Sequence, residues 1–92
     1  MVNEFPTTVD AAVRLLMNMV EESEQVKIAA MDIDDIPMLH FGLGMWIRNH
    51  MGLYAGNDQL LVATGEAGAD DASQVILRAF RDRLRADLPK VH

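Results

Sequence analysis

The stretch that decides the fold is Leu39-His40-Phe41-Gly42-Leu43-Gly44-Met45-Trp46-Ile47-Arg48-Asn49-His50-Met51-Gly52-Leu53. At the 100° spacing of an α-helix, its apolar side chains fall on one broad face and on a second strip roughly opposite. The broad face comprises Ile36, Leu39, Leu43, Trp46 and Ile47, and the opposite strip comprises Met38, Phe41 and Met45. Because a helix that is apolar on nearly all sides is usually buried, we predict a buried central helix over residues 36–51.

Both ends of this predicted helix carry terminal signals. Pro37 suits the first turn, where a missing N–H has no consequence, and Asp34 or Asp35 can accept hydrogen bonds from the free N–H groups there. Gly52 can adopt the left-handed conformation that ends a helix. The sequence therefore predicts a defined start and stop for the central helix.

The central helix also contains residues that are unfavourable inside a buried helix. Gly42 and Gly44 each cost about 1 kcal/mol relative to alanine, so we expect another backbone, or less often a ligand, to approach them closely. A buried Arg48 needs an acidic or carbonyl partner, and Asp70 or Asp71 can pair with its planar fork and hold the last helix in place. The alternative is that Arg48 binds a carboxylate or phosphate of a partner. Structural roles are predicted for Gly42, Gly44, Trp46, Gly52, Asp70 and Asp71.

Asn49 and His40 are the other candidate binding residues. The amide of Asn49 can satisfy turn backbone around residues 52–57, with contact to a ligand as the alternative. His40 is interpreted as a hydrogen-bonded helix residue, because no serine, cysteine or carboxylate lies at the spacing of a triad or dyad; no catalytic residue is predicted. His40 and His50 are about 15 Å apart along a helix and cannot share a metal ion, so we predict neither a metal nor a cofactor.

The remaining helices follow from caps and apolar spacing. Thr7 with Asp10 is predicted to cap the first helix, Ser23 the second, Asn57 the fourth, and Asp70 or Asp71 the last. The last helix should bury Ala72, Ile76, Phe80 and Leu84, and expose Arg78, Arg81 and Arg85 as a solvated face. Alternating strand patterns are absent. We predict a compact all-α single-domain bundle with main helices at about 8–20, 36–51 and 70–87 and short helices at about 23–31 and 57–64.

Composition limits the functional classes. The 92 residues suit one domain over 1–92, with flexible ends expected at 1–7 and 88–92. The net charge of −6 makes nucleic-acid binding improbable, since phosphate binding rests on lysine and arginine. The absence of cysteine, of a signal pattern and of a long apolar run leads us to expect a cytoplasmic protein that does not enter membranes.

One motif resembles a family. The motif is His40-x-Gly42-Leu43-Gly44-x-x-Ile47-Arg48-Asn49. It is followed by Gly52-Leu53-Tyr54, by Asn57 with Leu60-Leu61, and by Asp70-Asp71-Ala72-Ser73 with Val75-Ile76. Together these residues are similar to an uncharacterised bacterial family of small helical domains of unknown function. Ala69 stands where the family pattern favours proline, and Tyr54 where it favours tryptophan. The resemblance implies an all-helical fold and implies no activity.

Three functional interpretations stay open. The first is a non-enzymatic protein-interaction module that binds itself or a protein partner; if the chain cannot cover Met38, Phe41 and Met45, that strip becomes an interface and favours a homodimer. The second is an acidic inhibitor or regulator, encoded by a mobile element, that binds a basic partner surface. The third and weakest is an enzyme or small-ligand binder that uses His40, Arg48 and Asn49.

Overall fold

The computed structural model describes residues 5–87, which form five α-helices and no strand. The helices are α1 (Val9–Met19), α2 (Glu22–Ala30), α3 (Met45–His50), α4 (Asp58–Thr64) and α5 (Ala69–Asp87). Between α2 and α3 the chain forms a 3₁₀ helix over Ile33–Leu39 and a π-helical turn over His40–Gly44. The predicted all-α fold class is confirmed.

The element with the most neighbours is α5, which packs against α1, α2, α3, α4 and the 3₁₀ and π-helical turns. Its apolar residues recur every three or four positions, so they form one stripe along about 28 Å of helix. The buried residues of α5 are Ala72, Ser73, Ile76, Leu77, Phe80 and Leu84. The sequence placed the centre of the fold at residues 36–51; the structure places it at α5, the longest helix and the one that reaches every other element.

Residues 33–50 form one helical segment of three types rather than a single α-helix. Ile36 and Ile47 are fully buried, but Met38 is 78% exposed and Phe41 is 80% exposed. Met45 on the same strip is 41% exposed. The predicted burial on nearly all sides is therefore wrong. The physical reason is that α5 packs against one side of the segment, and no described element covers the Met38, Phe41 and Met45 side.

The N-terminal cap of helix α1 lies one residue later than predicted. The hydroxyl of Thr8, rather than Thr7, accepts a hydrogen bond from the Ala11 N–H at 3.0 Å. The predicted cap Ser23 lies inside α2, which starts at Glu22 without a side-chain cap. Asp34 and Asp35 likewise lie inside the 3₁₀ helix and make no cap. Neighbouring polar residues define a helix end only to within about one or two positions.

Three of the four arginines of α5, Arg81, Arg83 and Arg85, contact other helices instead of forming only a solvated face. Arg81 Nε donates to the Met31 carbonyl and Arg85 Nη1 donates to the Ala29 carbonyl, both at 2.9 Å. These bonds satisfy carbonyls at the C-terminal end of α2, which a helix leaves unpaired. Arg83 Nε donates to Asp87 Oδ2 at 2.7 Å, and Arg83 Nη1 lies 3.4 Å from Asp10 Oδ1 of α1. The hydrogen bond to Asp87 raises the pKa of Arg83 above its ordinary value. Arg78 is exposed, as predicted.

The turns around α4 follow the predicted chemistry. Gly52 and Gly65 have φ angles of 78° and 77° and end α3 and α4 in left-handed conformations. Asn57 Oδ1 accepts from the Leu60 N–H at 3.3 Å and so caps α4. The ring of Phe5 packs on Gly52 so closely that an added Cβ would lie 2.6 Å from it. Within residues 5–87, no helix is both long enough and apolar enough to cross a bilayer.

Candidate functional site

The guanidinium of Arg48 lies at the junction of three elements and is only 2% exposed. Its Nη1 donates to Ser73 Oγ of α5, its Nη2 to the His40 carbonyl of the π-helical turn, and its Nε to the Tyr54 hydroxyl, all at 3.0 Å. Of the two carboxylates expected as partners, Asp70 Oδ1 lies 3.4 Å from Nε. A buried charge is tolerated only when its donors are used in this way.

The partners of Arg48 also bind one another. Ser73 Oγ accepts from Arg48 and donates its own hydrogen to the Asp70 carbonyl at 2.8 Å. The Tyr54 hydroxyl directs its hydrogen toward Asp70 Oδ1 at 3.5 Å. His40 Nδ1 lies 3.4 Å from Arg48 Nη1, and because an arginine can only donate, this nitrogen is the acceptor and the proton of a neutral ring is on Nε2. The network favours the structural interpretation of Arg48.

Gly44 explains how the guanidinium fits beside the helical segment. A Cβ at Gly44 would lie 3.1 Å from Arg48 Nη1 and 3.1 Å from the Leu39 carbonyl oxygen. Insertion of a side chain beside the backbone ladder is a known cause of irregular helix geometry, and the π-helical turn lies at this point. Gly44 is therefore closely packed, but by the Arg48 side chain and by backbone of its own segment rather than by the other helix backbone or the ligand that was expected. No close approach occurs at Gly42, because an added Cβ would meet nothing within 4 Å.

Of the three candidate ligand-binding residues, His40 and Arg48 contact each other, and Asn49 does not join them. Arg48 points into the core, whereas Asn49 is exposed and its side chain makes no hydrogen bond within residues 5–87. The turn contacts expected of Asn49 are made by Asn57, whose Nδ2 donates to the Met51 and Pro6 carbonyls at 2.8 Å each. The prediction assigned these contacts to the wrong asparagine, because the sequence does not show that the fold brings Pro6 beside this turn.

His40 borders a polar cleft of about 480 Å³. The cleft is lined by Pro37, His40, Glu66, Asp71, Gln74 and Arg78. Both polar atoms of the Gln74 carboxamide are buried and have no hydrogen-bond partner in the described part of the chain. The lining includes neither a hydroxyl nor a thiol nucleophile. Asp71 lines this cleft rather than pairing with Arg48.

A second surface feature is an apolar groove of about 430 Å³, which we call the Trp46 groove. It lies between the α1–α2 corner and the 33–50 segment and is lined by Met19, Val20, Glu24, Ile28, Leu39, Gly42, Leu43 and Trp46. The Trp46 ring stacks on the His50 ring with centroids 4.5 Å apart and planes 10° apart. The open space above Gly42 is part of this groove, so this glycine lies on the open side of the segment.

The exposed strip, Met38, Phe41 and Met45, is adjacent in sequence to residues that line the Trp46 groove. Met38, Phe41 and Met45 each directly precede a groove-lining residue, namely Leu39, Gly42 and Trp46. Consecutive helical residues lie about 100° apart, so the strip extends the apolar surface around the segment. The groove and this strip together form an apolar surface that no described element covers completely. Sequence analysis identified the strip but missed Met19, Val20 and Glu24, because they belong to another helix pair.

Within residues 5–87, no group of three or more histidine or acidic side chains is placed to hold a metal ion. Ser73 and Tyr54 were the members of the Arg48 network that sequence analysis did not assign a role. The only signal for Ser73 was its presence in the resemblance pattern, and Tyr54 stands where that pattern favours tryptophan.

The fold and this network define a small all-α domain built on a buried arginine. Residues 5–84 match the DUF6794 family, a domain of unknown function, and the chain belongs to that family. The predicted resemblance to a family of unknown function is thereby confirmed, while its bacterial origin and its His-x-Gly-Leu-Gly-x-x-Ile-Arg-Asn signature stay predictions. No curated protein and no solved structure matches the chain.

Proposed function

We propose that this chain is a protein-interaction module whose contact surface is the Trp46 groove together with the exposed strip. The observation that carries the proposal is the exposure of Met38 and Phe41, at 78% and 80%, beside an apolar groove. Contiguous exposed apolar surface is typical of protein interfaces. Covering one such side chain contributes roughly 1.5–3 kcal/mol, so a partner that covers both gains useful affinity.

The composition of the surface also suits binding of a polypeptide. Methionine is flexible and polarizable, and so it adapts to partners of different shape. Phe41 and Trp46 supply large rigid rings, of the kind enriched where interfaces concentrate their binding energy. Gly42 has no side chain in the groove, so the groove is open at this point. A partner protein or a second copy of the chain could provide the apolar side chains that fill this surface.

Trp46 provides a direct test, because it is the only tryptophan and it lines the groove. We would titrate the protein with three amphipathic helical peptides of about 18 residues, long enough to form several turns. All three share a leucine face, and their polar faces carry lysine, glutamine or glutamate. We expect at least one peptide to saturate, with Trp46 emission moving to shorter wavelength and heat released in calorimetry.

The matched variants use the open space at Gly42. Gly42→Gln places a polar side chain in the groove and should abolish the emission change, whereas Gly42→Ala adds only a methyl group and should preserve it. Sedimentation equilibrium at micromolar concentration tests whether a second copy occupies the surface instead. If no peptide binds and the chain sediments as a monomer, or if Gly42→Gln binds as the wild type does, the proposal is wrong.

The second interpretation, an acidic inhibitor or regulator, is tested by the same panel. An inhibitor of that kind would bind through charge with little use of the groove. It therefore predicts binding of the lysine peptide that is lost in salt but unaffected by Gly42→Gln.

A further inference from the structure

We infer that the Trp46 groove selects a basic amphipathic helix. Such a segment would place its apolar face in the groove and lysine or arginine side chains against the acidic turn at the α1–α2 corner, which we define as Glu21, Glu22 and Glu24. This inference rests on the proposed function and names the partner chemistry for the same surface.

The acidic turn adjoins the apolar lining. Val20 and Glu24 line the groove, and the chain between them carries the exposed carboxylates of Glu21 and Glu22. Lys27 is the cation nearest in this part of α2, and its Nζ lies 3.4 Å from Glu24 Oε1. Both members of that pair are more than half exposed, so the pair is weak and the turn keeps an excess of negative charge.

The backbone geometry of the acidic turn is fixed by a partly buried contact. Gln25 Nε2 donates to the Met17 and Val20 carbonyls at 2.9 Å each, which joins α2 to the end of α1. These bonds hold the backbone of the acidic turn beside the groove, so its carboxylates stay near the groove before any partner arrives. Charges that are already positioned lose less conformational freedom on binding, and they speed association with a partner of opposite charge.

A helix is the occupant that this surface fits. Peptides that bind as strands add to an exposed sheet edge, and residues 5–87 contain no strand. An apolar groove between helices instead accepts the apolar face of another helix, with anchors at helical spacing. The net charge of −6 also disfavours a second copy, because its own acidic turn would be repelled.

The lysine and glutamine peptides described above test the inference when compared at several salt concentrations. We expect the lysine peptide to bind about tenfold tighter at low salt, with the advantage shrinking as salt screens the charges. The variant Glu21→Gln/Glu22→Gln/Glu24→Gln should remove most of that advantage. The matched control Asp32→Asn/Asp34→Asn/Asp35→Asn makes the same change in charge at exposed positions that do not line the groove, and it should retain the advantage.

Glu22 and Glu24 also lie in the first turn of α2, where negative charge is favourable. Thermal unfolding of both triple variants is therefore measured in parallel, and binding is compared at a temperature at which each is folded. Equal binding of the lysine and glutamine peptides, or equal loss in the two triple variants, overturns this inference and leaves the proposed function intact. A dimer that excludes the lysine peptide also overturns it, and failure of every peptide with a monomeric chain overturns both proposals.

Discussion

Gly42 and Gly44 belong to the same π-helical turn, but their environments are opposite. Gly44 is buried against Arg48 and the Leu39 carbonyl, so its missing side chain is required by the core. Gly42 faces open space in the Trp46 groove, so nothing inside the described chain requires its missing side chain. One side of the 33–50 segment is thus packed in the core, while the other side is left partly open by the described elements.

The two sides also differ in what holds them. The core side combines the fully buried Ile36 and Ile47 with a charged network around Arg48. The open side presents Met38 and Phe41, which no described element covers. A residue that folding does not need is free to serve binding, which is why we place the proposed function on the open side and assign Arg48 to structure.

The largest effect on stability should follow from removing the buried charge of Arg48 on the core side. Arg48→Ala breaks three hydrogen bonds to a charged group, leaves the His40 carbonyl without this donor and opens a cavity. We expect a loss of about 3 kcal/mol in the free energy of unfolding, measured by urea denaturation, and a fall in Tm of roughly 15 °C.

Arg78→Ala is the matched control, because it removes the same kind of side chain from an exposed position of α5 that borders the polar cleft. It should change the free energy of unfolding by no more than about 0.5 kcal/mol. Equal stabilities for the two variants would show that the Arg48 network does not hold the core side, and the contrast between the two sides would lose its basis.

Local signals in the sequence were sufficient for the elements whose ends and faces depend on nearby residues. The left-handed Gly52, the Asn57 cap and the apolar stripe of α5 are all found as predicted. In each case the determining chemistry lies within a few positions along the chain. Arginine pairing could also be anticipated, because a buried guanidinium has few acceptable partners.

Features that depend on distant residues could not be predicted. The π-helical turn lies where Arg48 reaches Ser73, a residue 25 positions further along the chain. Exposure of Met38 and Phe41 depends on which side of the segment α5 covers. The periodicity predicts two apolar sides but does not indicate which of them is buried. The Trp46 groove needs Met19 and Val20 from another helix, so no local pattern could have revealed it.

A smaller effect is expected from adding a methyl group on the core side. In Gly44→Ala the new Cβ would lie 3.1 Å from Arg48 Nη1, which Ser73 holds in place, and 3.1 Å from backbone oxygen, which cannot easily move. The strain should exceed the gain in helix propensity and lower the free energy of unfolding by about 1–2 kcal/mol. Thermal and urea unfolding both measure this, and a stability equal to or above wild type would mean that the core side is packed more loosely than its distances indicate.

The smallest effect should have the opposite sign and lie on the open side. In Gly42→Ala the methyl group meets no atom within 4 Å, and its backbone conformation is one that alanine adopts readily. Alanine reduces the conformational entropy of the unfolded chain, so the free energy of unfolding should rise by about 0.5–1 kcal/mol. Paired with Gly44→Ala, the same chemical change would stabilise one position and destabilise the other within a single turn. If the two substitutions shift the urea midpoint in the same direction, the turn responds as a unit, and Gly42 is required by the fold instead of being available to a partner.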